Sequence, residues 1–96
     1  MNNNENWDDE EYCLEMVKKD GDIIEFIPNP SLEVQIAAVQ QNGRSIRFIN
    51  DPSDIVQLEA IKRNISAIFL IENPSDNIQL TDAGDGTVTG YIINPN

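Results

Sequence analysis

A period of 22 residues constrains this chain more than anything else in it. Residues 9–30 read DEEYCLEMVKKDGDIIEFIPNP, residues 31–52 read SLEVQIAAVQQNGRSIRFINDP, and residues 53–74 read SDIVQLEAIKRNISAIFLIENP. They superpose without a gap. Matched columns hold Leu14, Ile36 and Leu58, then Val17, Val39 and Ile61, then Ile24, Ile46 and Ile68, then Ile27, Ile49 and Ile71, and finally Pro30, Pro52 and Pro74. A unit this short cannot bury its apolar face alone, so successive units must stack. Residues 75–96 fill a fourth period that opens on SDNIQL, keeps Leu80 in the leucine column and ends in Tyr91 to Pro95, but its middle, TDAGDGTVTG, matches nothing.

Each unit carries the punctuation of a helical hairpin. Ser31 and Ser53 follow a proline and precede an apolar-periodic run, which suits an N-cap whose hydroxyl accepts from a free backbone N–H. A helix of roughly twelve residues should follow. It ends at Lys-Asp-Gly (19–21) or Gln-Asn-Gly (41–43), where Gly21 and Gly43 are expected to take the left-handed conformation just past the helix. Ile65 replaces that glycine in the third unit, which leaves Asn64 to supply the cap there. The second element is short, centred on IIEFI (23–27), SIRFI (45–49) and AIFLI (67–71), and stops before proline because the preceding residue avoids the helical region.

Around the first helix of the second unit, Val34, Ile36, Ala38 and Val39 fall at roughly 0°, 200°, 40° and 140°. Such wide apolar coverage suits a helix with a neighbour on both sides, whereas a single flat core would require one face of about 100°. The second element is ambiguous, since β-branched runs such as Ile46 to Ile49 also suit strands and the period lies within the 20–29 range of leucine-rich strand-helix repeats. The leucine-rich signature L-x-x-L-x-L-x-x-N is absent, which favours helix. The expected fold is mainly all-α: a short solenoid of three 22-residue helix-turn-helix repeats (9–30, 31–52, 53–74), with a degenerate fourth (75–96) as an irregular or β-hairpin cap. A strand-helix repeat is the alternative. Residues 1–8 read as a polar, acidic tail.

The stretch AAVQQNGRSIRFINDPSDIVQLEAI (37–61) resembles AVKQNG-type short helical repeats of a domain-of-unknown-function family common in phage, giant-virus and bacterial proteins. The likeness runs over residues 9 to about 80. It implies a helical repeat scaffold without a catalytic assignment, and often a viral origin. Ile65 in place of the repeat glycine and the Gly-rich fourth unit depart from that pattern.

Composition narrows the function. At 96 residues the chain is one domain, which buries only about 60–70% of its unfolded surface and leaves little room for an enclosed active site. No histidine is present, which removes the commonest general base and with it Ser-His-Asp, Cys-His and most zinc-water chemistry. Seventeen acids against six bases give a formal charge of −11, which opposes direct binding to nucleic acid or anionic lipid. Residues 1–30 hold nine of the acids and two of the bases, whereas residues 31–52 balance at two and two. The longest apolar run, Ala67 to Ile71, is five residues, where a membrane span needs about 20. The lone Cys13 cannot form an internal disulfide, in keeping with a cytoplasmic setting, or the host cytoplasm for a viral chain.

No metal or cofactor is called for. The acidic cluster Asp8, Asp9, Glu10, Glu11 and Glu15 is explained by the helix dipole at the start of the first helix. TDAGDGT fails the spacing of a calcium loop, because aligning Gly86 with the sixth position puts Thr81 and Ala83 where ligands belong. The same acids, with Trp7 and Tyr12 among them, form a candidate contact for a basic partner protein. Gln35, Gln57 and Gln79 recur once per unit, one residue before the Leu/Ile column expected to be buried. Stacking would align them on one side, as a hydrogen-bonding array or as a plain solvated face. Cys13 occupies the same column and is expected to be partly exposed and unreactive. Asn29, Asn42, Asn64 and Asn73 are expected to cap their own turns.

These features point to a non-enzymatic protein–protein interaction module, in its narrower form a phage-encoded inhibitor of a host protein. Two alternatives stand beside it. One is an acidic nucleic-acid mimic that blocks a nuclease or CRISPR-type effector, and the other is a self-assembling structural component that forms homo-oligomers.

Overall fold

The computed structural model describes residues 6–82 and 88–93, with side chains as far as residue 78. Each unit forms an α-helix followed by a 3-10 helix: α1 (Glu10–Lys19) and η1 (Gly21–Phe26), α2 (Leu32–Gln41) and η2 (Gly43–Phe48), α3 (Asp54–Arg63) and η3 (Ile65–Leu70). The spacing is the 22 residues of the sequence period. Side chains start two of the α-helices. The Asp9 carboxylate accepts from the Glu11 N–H at 3.0 Å and the Tyr12 N–H at 3.4 Å, and the Ser31 hydroxyl accepts from the Val34 N–H at 3.2 Å. Ser53 holds the same extended N-cap backbone without that bond.

Each α-helix is ten residues long and ends on an extended residue, Asp20, Asn42 or Asn64, whose N–H still bonds back to Met16, Ala38 or Ala60. The Asp20 and Asn42 side chains then accept from the N–H groups of Asp22 and Arg44, capping the 3-10 helix that begins at once. One residue thus closes a helix and opens the next. Left-handed backbone instead appears at Asn29 and Asp51, both at φ 50°, residue types that tolerate it.

The second elements are 3-10 helices, which overturns the strand-helix alternative. The reason lies in the spacing of Ile24 and Ile27, Ile46 and Ile49, and Ile68 and Ile71. All six side chains are buried, and a 3-10 helix eclipses positions i and i+3 while a strand would turn them to opposite faces.

Consecutive units pack α-helix on α-helix and 3-10 helix on 3-10 helix, with η1 also against α2 and η2 against α3. The middle helix, α2, buries Val34, Ala37, Ala38 and Val39, whereas α1 buries Cys13 and Val17. α3 likewise buries four residues, Val56, Gln57, Ala60 and Ile61, and it is the contacts of α2 with both α1 and α3 that match the two-sided neighbourhood expected of it. The Leu/Ile column expected to be buried is only half so at Leu14, Ile36 and Leu58; the core is built from smaller groups such as Val17, Ala38, Val56, Ala60 and Ala67.

Gly21 and Gly43 serve a different purpose from the one expected. Neither has the left-handed φ of a helix-ending glycine. Both are buried under the next α-helix, where a Cβ on Gly21 would overlap the Ala38 carbonyl oxygen and come within 2.7 Å of Ser45 Oγ, and one on Gly43 would overlap the Ala60 carbonyl oxygen. Ile65 fills the equivalent place in the third unit, which no α-helix follows among the described residues; its half-buried side chain packs against the core.

Beyond η3 the strands β1 (Ile78–Asp82) and β2 (Val88–Ile93) pair antiparallel, with Ile78 opposite Ile93, Leu80 opposite Tyr91 and an irregularity between Thr81 and Asp82. The intervening part of TDAGDGT, residues 83–87, lies outside the described residues. Among the described residues no helix is long and apolar enough to cross a membrane.

Glycine to alanine at an unstrained site stabilises by about 0.4–1 kcal/mol through the unfolded chain, but overpacking costs about 1–3 kcal/mol. At these two positions the clash involves backbone, which cannot rotate away, so overpacking wins. Gly21→Ala and Gly43→Ala should each lower stability by about 2 kcal/mol in urea unfolding.

Candidate functional site

Backbone polar groups left by the repeat corners determine where many polar side chains go. Gln35 Nε2 donates to the Pro30 carbonyl at 3.0 Å, and Gln57 Nε2 donates to the Pro52 carbonyl at 3.0 Å. Gln57 Oε1 also accepts from the Ser75 N–H at 2.7 Å. The glutamine column is therefore neither an outward-facing array nor a solvated face: Gln57 is 4% exposed and Gln35 half-buried. A buried carbonyl without a partner would cost about 1–3 kcal/mol, and the column supplies that partner. The Gln79 side chain lies outside the described residues.

Cys13 follows the same rule and corrects the expectation of partial exposure. It is 2% exposed, and its Sγ donates to the Trp7 carbonyl at 3.3 Å. Burial pushes the thiol pKa up, and the charges of Asp9, Glu10 and Asp8 push it further in the same direction. Such a thiol holds little thiolate near neutral pH and is a poor nucleophile.

The asparagines divide between turns and seams. Asn42 caps its own turn, but Asn64 Oδ1 accepts from the Gly43 N–H of the preceding unit at 3.0 Å. Gln41 Oε1 does the same for the Gly21 N–H at 2.7 Å. Where glycine admits a close approach, its N–H is thus satisfied across the seam. Asp22 adds a further link between the first two units, accepting from buried Ser45 Oγ at 2.8 Å and from Arg47 at 3.0 Å.

The acidic N-terminal residues gather around the start of α1. Asp9 is the cap, Glu10 accepts from the Ser31 hydroxyl at 3.1 Å, and Asp8, Glu11 and Glu15 are exposed. Trp7, assigned by sequence to the tail, packs half-buried against the core with its ring 5.5 Å from that of Tyr12. A shallow hollow of about 180 Å³ lies beside them, lined by Trp7, Glu10, Cys13, Asn29, Ser31 and Val34 among others. Among the described residues no group of acids or cysteine has the arrangement of a metal site.

The most exposed apolar side chains lie elsewhere, on the 3-10 helices. Phe26, Phe48 and Leu70 occupy one register position on η1, η2 and η3, and Phe69 stands beside Leu70. Phe26 is 64% exposed and Phe69 69%. Phe48 is half-buried, with the Arg47 guanidinium 4.5 Å above its ring. A groove of about 640 Å³ runs between η2 and η3, lined by Ile46, Ile49, Asp51, Phe69, Leu70 and Glu72 among others. The signal for this face was present in the repeats. Once both isoleucines of an i, i+3 pair point inward, the two residues between them must point out.

Residues 9–52 match the model of a family described as a domain of unknown function (DUF4116), and that span is the first two units as the period delimits them. No curated protein and no solved structure matches the chain.

Two outcomes follow. Gln57→Ala strands two backbone groups and should cost about 2–3 kcal/mol in urea unfolding, against about 1 kcal/mol for Gln35→Ala. For Cys13, a folded pKa above the unfolded one stabilises fully below the unfolded value, and that contribution fades as pH rises through the folded value. Between about pH 8 and 10 the unfolding midpoint should therefore fall more steeply for the wild type than for Cys13→Ala.

Proposed function

We propose that the protein is a short solenoid, sealed after its third unit by the β1–β2 hairpin, and that it acts without catalysis by binding another protein through its 3-10 face. The observation that carries this is the row Phe26, Phe48 and Leu70 with adjoining Phe69, apolar positions repeated once per unit, of which Phe26, Phe69 and Leu70 are exposed and Phe48 is half-buried. Single exposed apolar residues are ordinary on protein surfaces, whereas a recurrent row beside a groove is the usual form of a contact site. The hairpin follows η3 and β2 lies against it, where a helical stack otherwise ends on an open face.

The acidic end is the basis of a second reading, the nucleic-acid mimic. Asp8, Asp9, Glu11 and Glu15 are exposed at the start of α1, and such a site would bind a basic groove with steep salt dependence. Asp9 and Glu10 already have structural work, as cap and as partner of Ser31, so we favour the apolar face. The narrower idea, a virally encoded inhibitor acting in the host cytoplasm, draws its support from the resemblance of residues 37–61 to repeats common in viral chains.

The test is affinity capture with three baits: wild type, Phe26→Ser with Phe69→Ser, and Glu11→Gln with Glu15→Gln. The serine bait should lose the specific partner while its circular dichroism and unfolding midpoint stay close to wild type, and the glutamine bait should keep it as well as the wild type does. Loss with the glutamine bait alone, together with competition by DNA, would favour mimicry. Concentration-dependent sedimentation that the serine bait abolishes would point to self-assembly.

A further inference from the structure

We propose that the groove between η2 and η3 receives an amphipathic segment of the partner in which a lysine or arginine neighbours a large apolar side chain; this rests on the interaction reading above and names the chemistry that reading leaves open. The groove has a mixed lining, more polar than apolar, with Asn50, Asp51, Glu72 and Asn73 beside its isoleucines. Ile46, Ile49 and Ile71 line it and are buried, while Phe69 and Leu70 stand exposed at its edge. Its volume, about 640 Å³, is that of a cleft which takes a ligand of drug size.

Charge selects the occupant. Asp51 and Glu72 line the groove and are exposed, and neither takes part in the ion pairs found among the described residues, Arg47–Asp22 and Lys62–Glu59. Arg47, the cation on the lining, is held by Asp22 at 3.0 Å and lies over the Phe48 ring. The open charge of the groove is therefore negative, next to an apolar edge. A second copy of the chain is a poor occupant, since each copy carries a formal −11 and approach would be opposed by like charge. A phosphate backbone is opposed for the same reason. A cationic side chain between Asp51 and Glu72, with an apolar neighbour on Phe69 and Leu70, satisfies both halves of the surface.

The probe is a short helical peptide of leucine and lysine, titrated by fluorescence anisotropy against the full chain. Its controls are a leucine–glutamate peptide of the same pattern and a lysine–serine peptide of the same charge. The leucine–lysine peptide should bind tightest. Asp51→Asn with Glu72→Gln should weaken it about tenfold and flatten its salt dependence, asparagine being chosen because it tolerates the φ of 50° at that position. Phe69→Ser with Leu70→Ser should weaken it by a similar factor. Glu11→Gln with Glu15→Gln, far along the chain, should leave it within about twofold.

Equal binding of the lysine–serine peptide, or an equal loss with the Glu11 and Glu15 pair, would reduce the effect to diffuse charge and overturn the proposal. Unchanged binding by the Asp51 and Glu72 pair would also overturn it. Failure to bind any probe, with Phe69-dependent capture of a natural partner intact, would refute this partner chemistry and leave the interaction reading standing.

Discussion

The structure depends on how closely one unit's backbone lies against the next. At Gly21 and Gly43 the chain sits directly against the carbonyl oxygens of Ala38 and Ala60, and no side-chain carbon fits between. The approach would orphan two N–H groups, and Gln41 and Asn64 reach across from the following unit to accept from them. Sterics and hydrogen bonding act together at this seam. The same backbone carbonyls also receive the N–H of the residue that ends each helix, Asn42 and Asn64, so the seam and the helix terminus share one pair of atoms. Small residues around it follow as a consequence, Ala38 and Ala60 being 0% exposed.

Much of the fold was legible in the columns. Unit boundaries, the N-cap at Ser31 and the two-sided packing of α2 all follow from residue type and spacing, because local caps and hydrophobic periods depend on near neighbours in the chain. What was not legible depended on contacts about one period away. The glycines looked like helix-ending residues because Lys-Asp-Gly and Gln-Asn-Gly are common there; nothing local reveals a carbonyl oxygen 17 positions further on. The glutamine column looked external because glutamine is polar. Its true role follows from the proline corners, whose partly buried carbonyls take a donor from the glutamine amide. At that same column Cys13 replaces an amide with a thiol and still finds a carbonyl, that of Trp7.

The candidate surface was the least legible part. Charge drew attention to the N-terminus, and the structure does gather Trp7, Tyr12 and the acids there. The phenylalanines are hard to pick out in sequence, because apolar residues in an apolar run suggest core. Only the tight winding of the 3-10 helix separates Ile24 and Ile27, which go in, from Glu25 and Phe26, which go out. Within the row the character changes along the stack, from Glu25 through Arg47 to Phe69 at one register position, so the surface is graded from polar to apolar toward the third unit.

Ile65 has a consequence for how such a chain can grow. A complete unit inserted between the second and third would bring its own glycine and meet the same carbonyl pattern it left, so lengthening in the middle disturbs nothing. Appending a helical unit after the third would set a new α-helix over Ile65, which carries a side chain where the earlier units have the glycines that admit a close approach. Glycine at the seam thus favours duplication between the existing units over addition of a helical unit after η3.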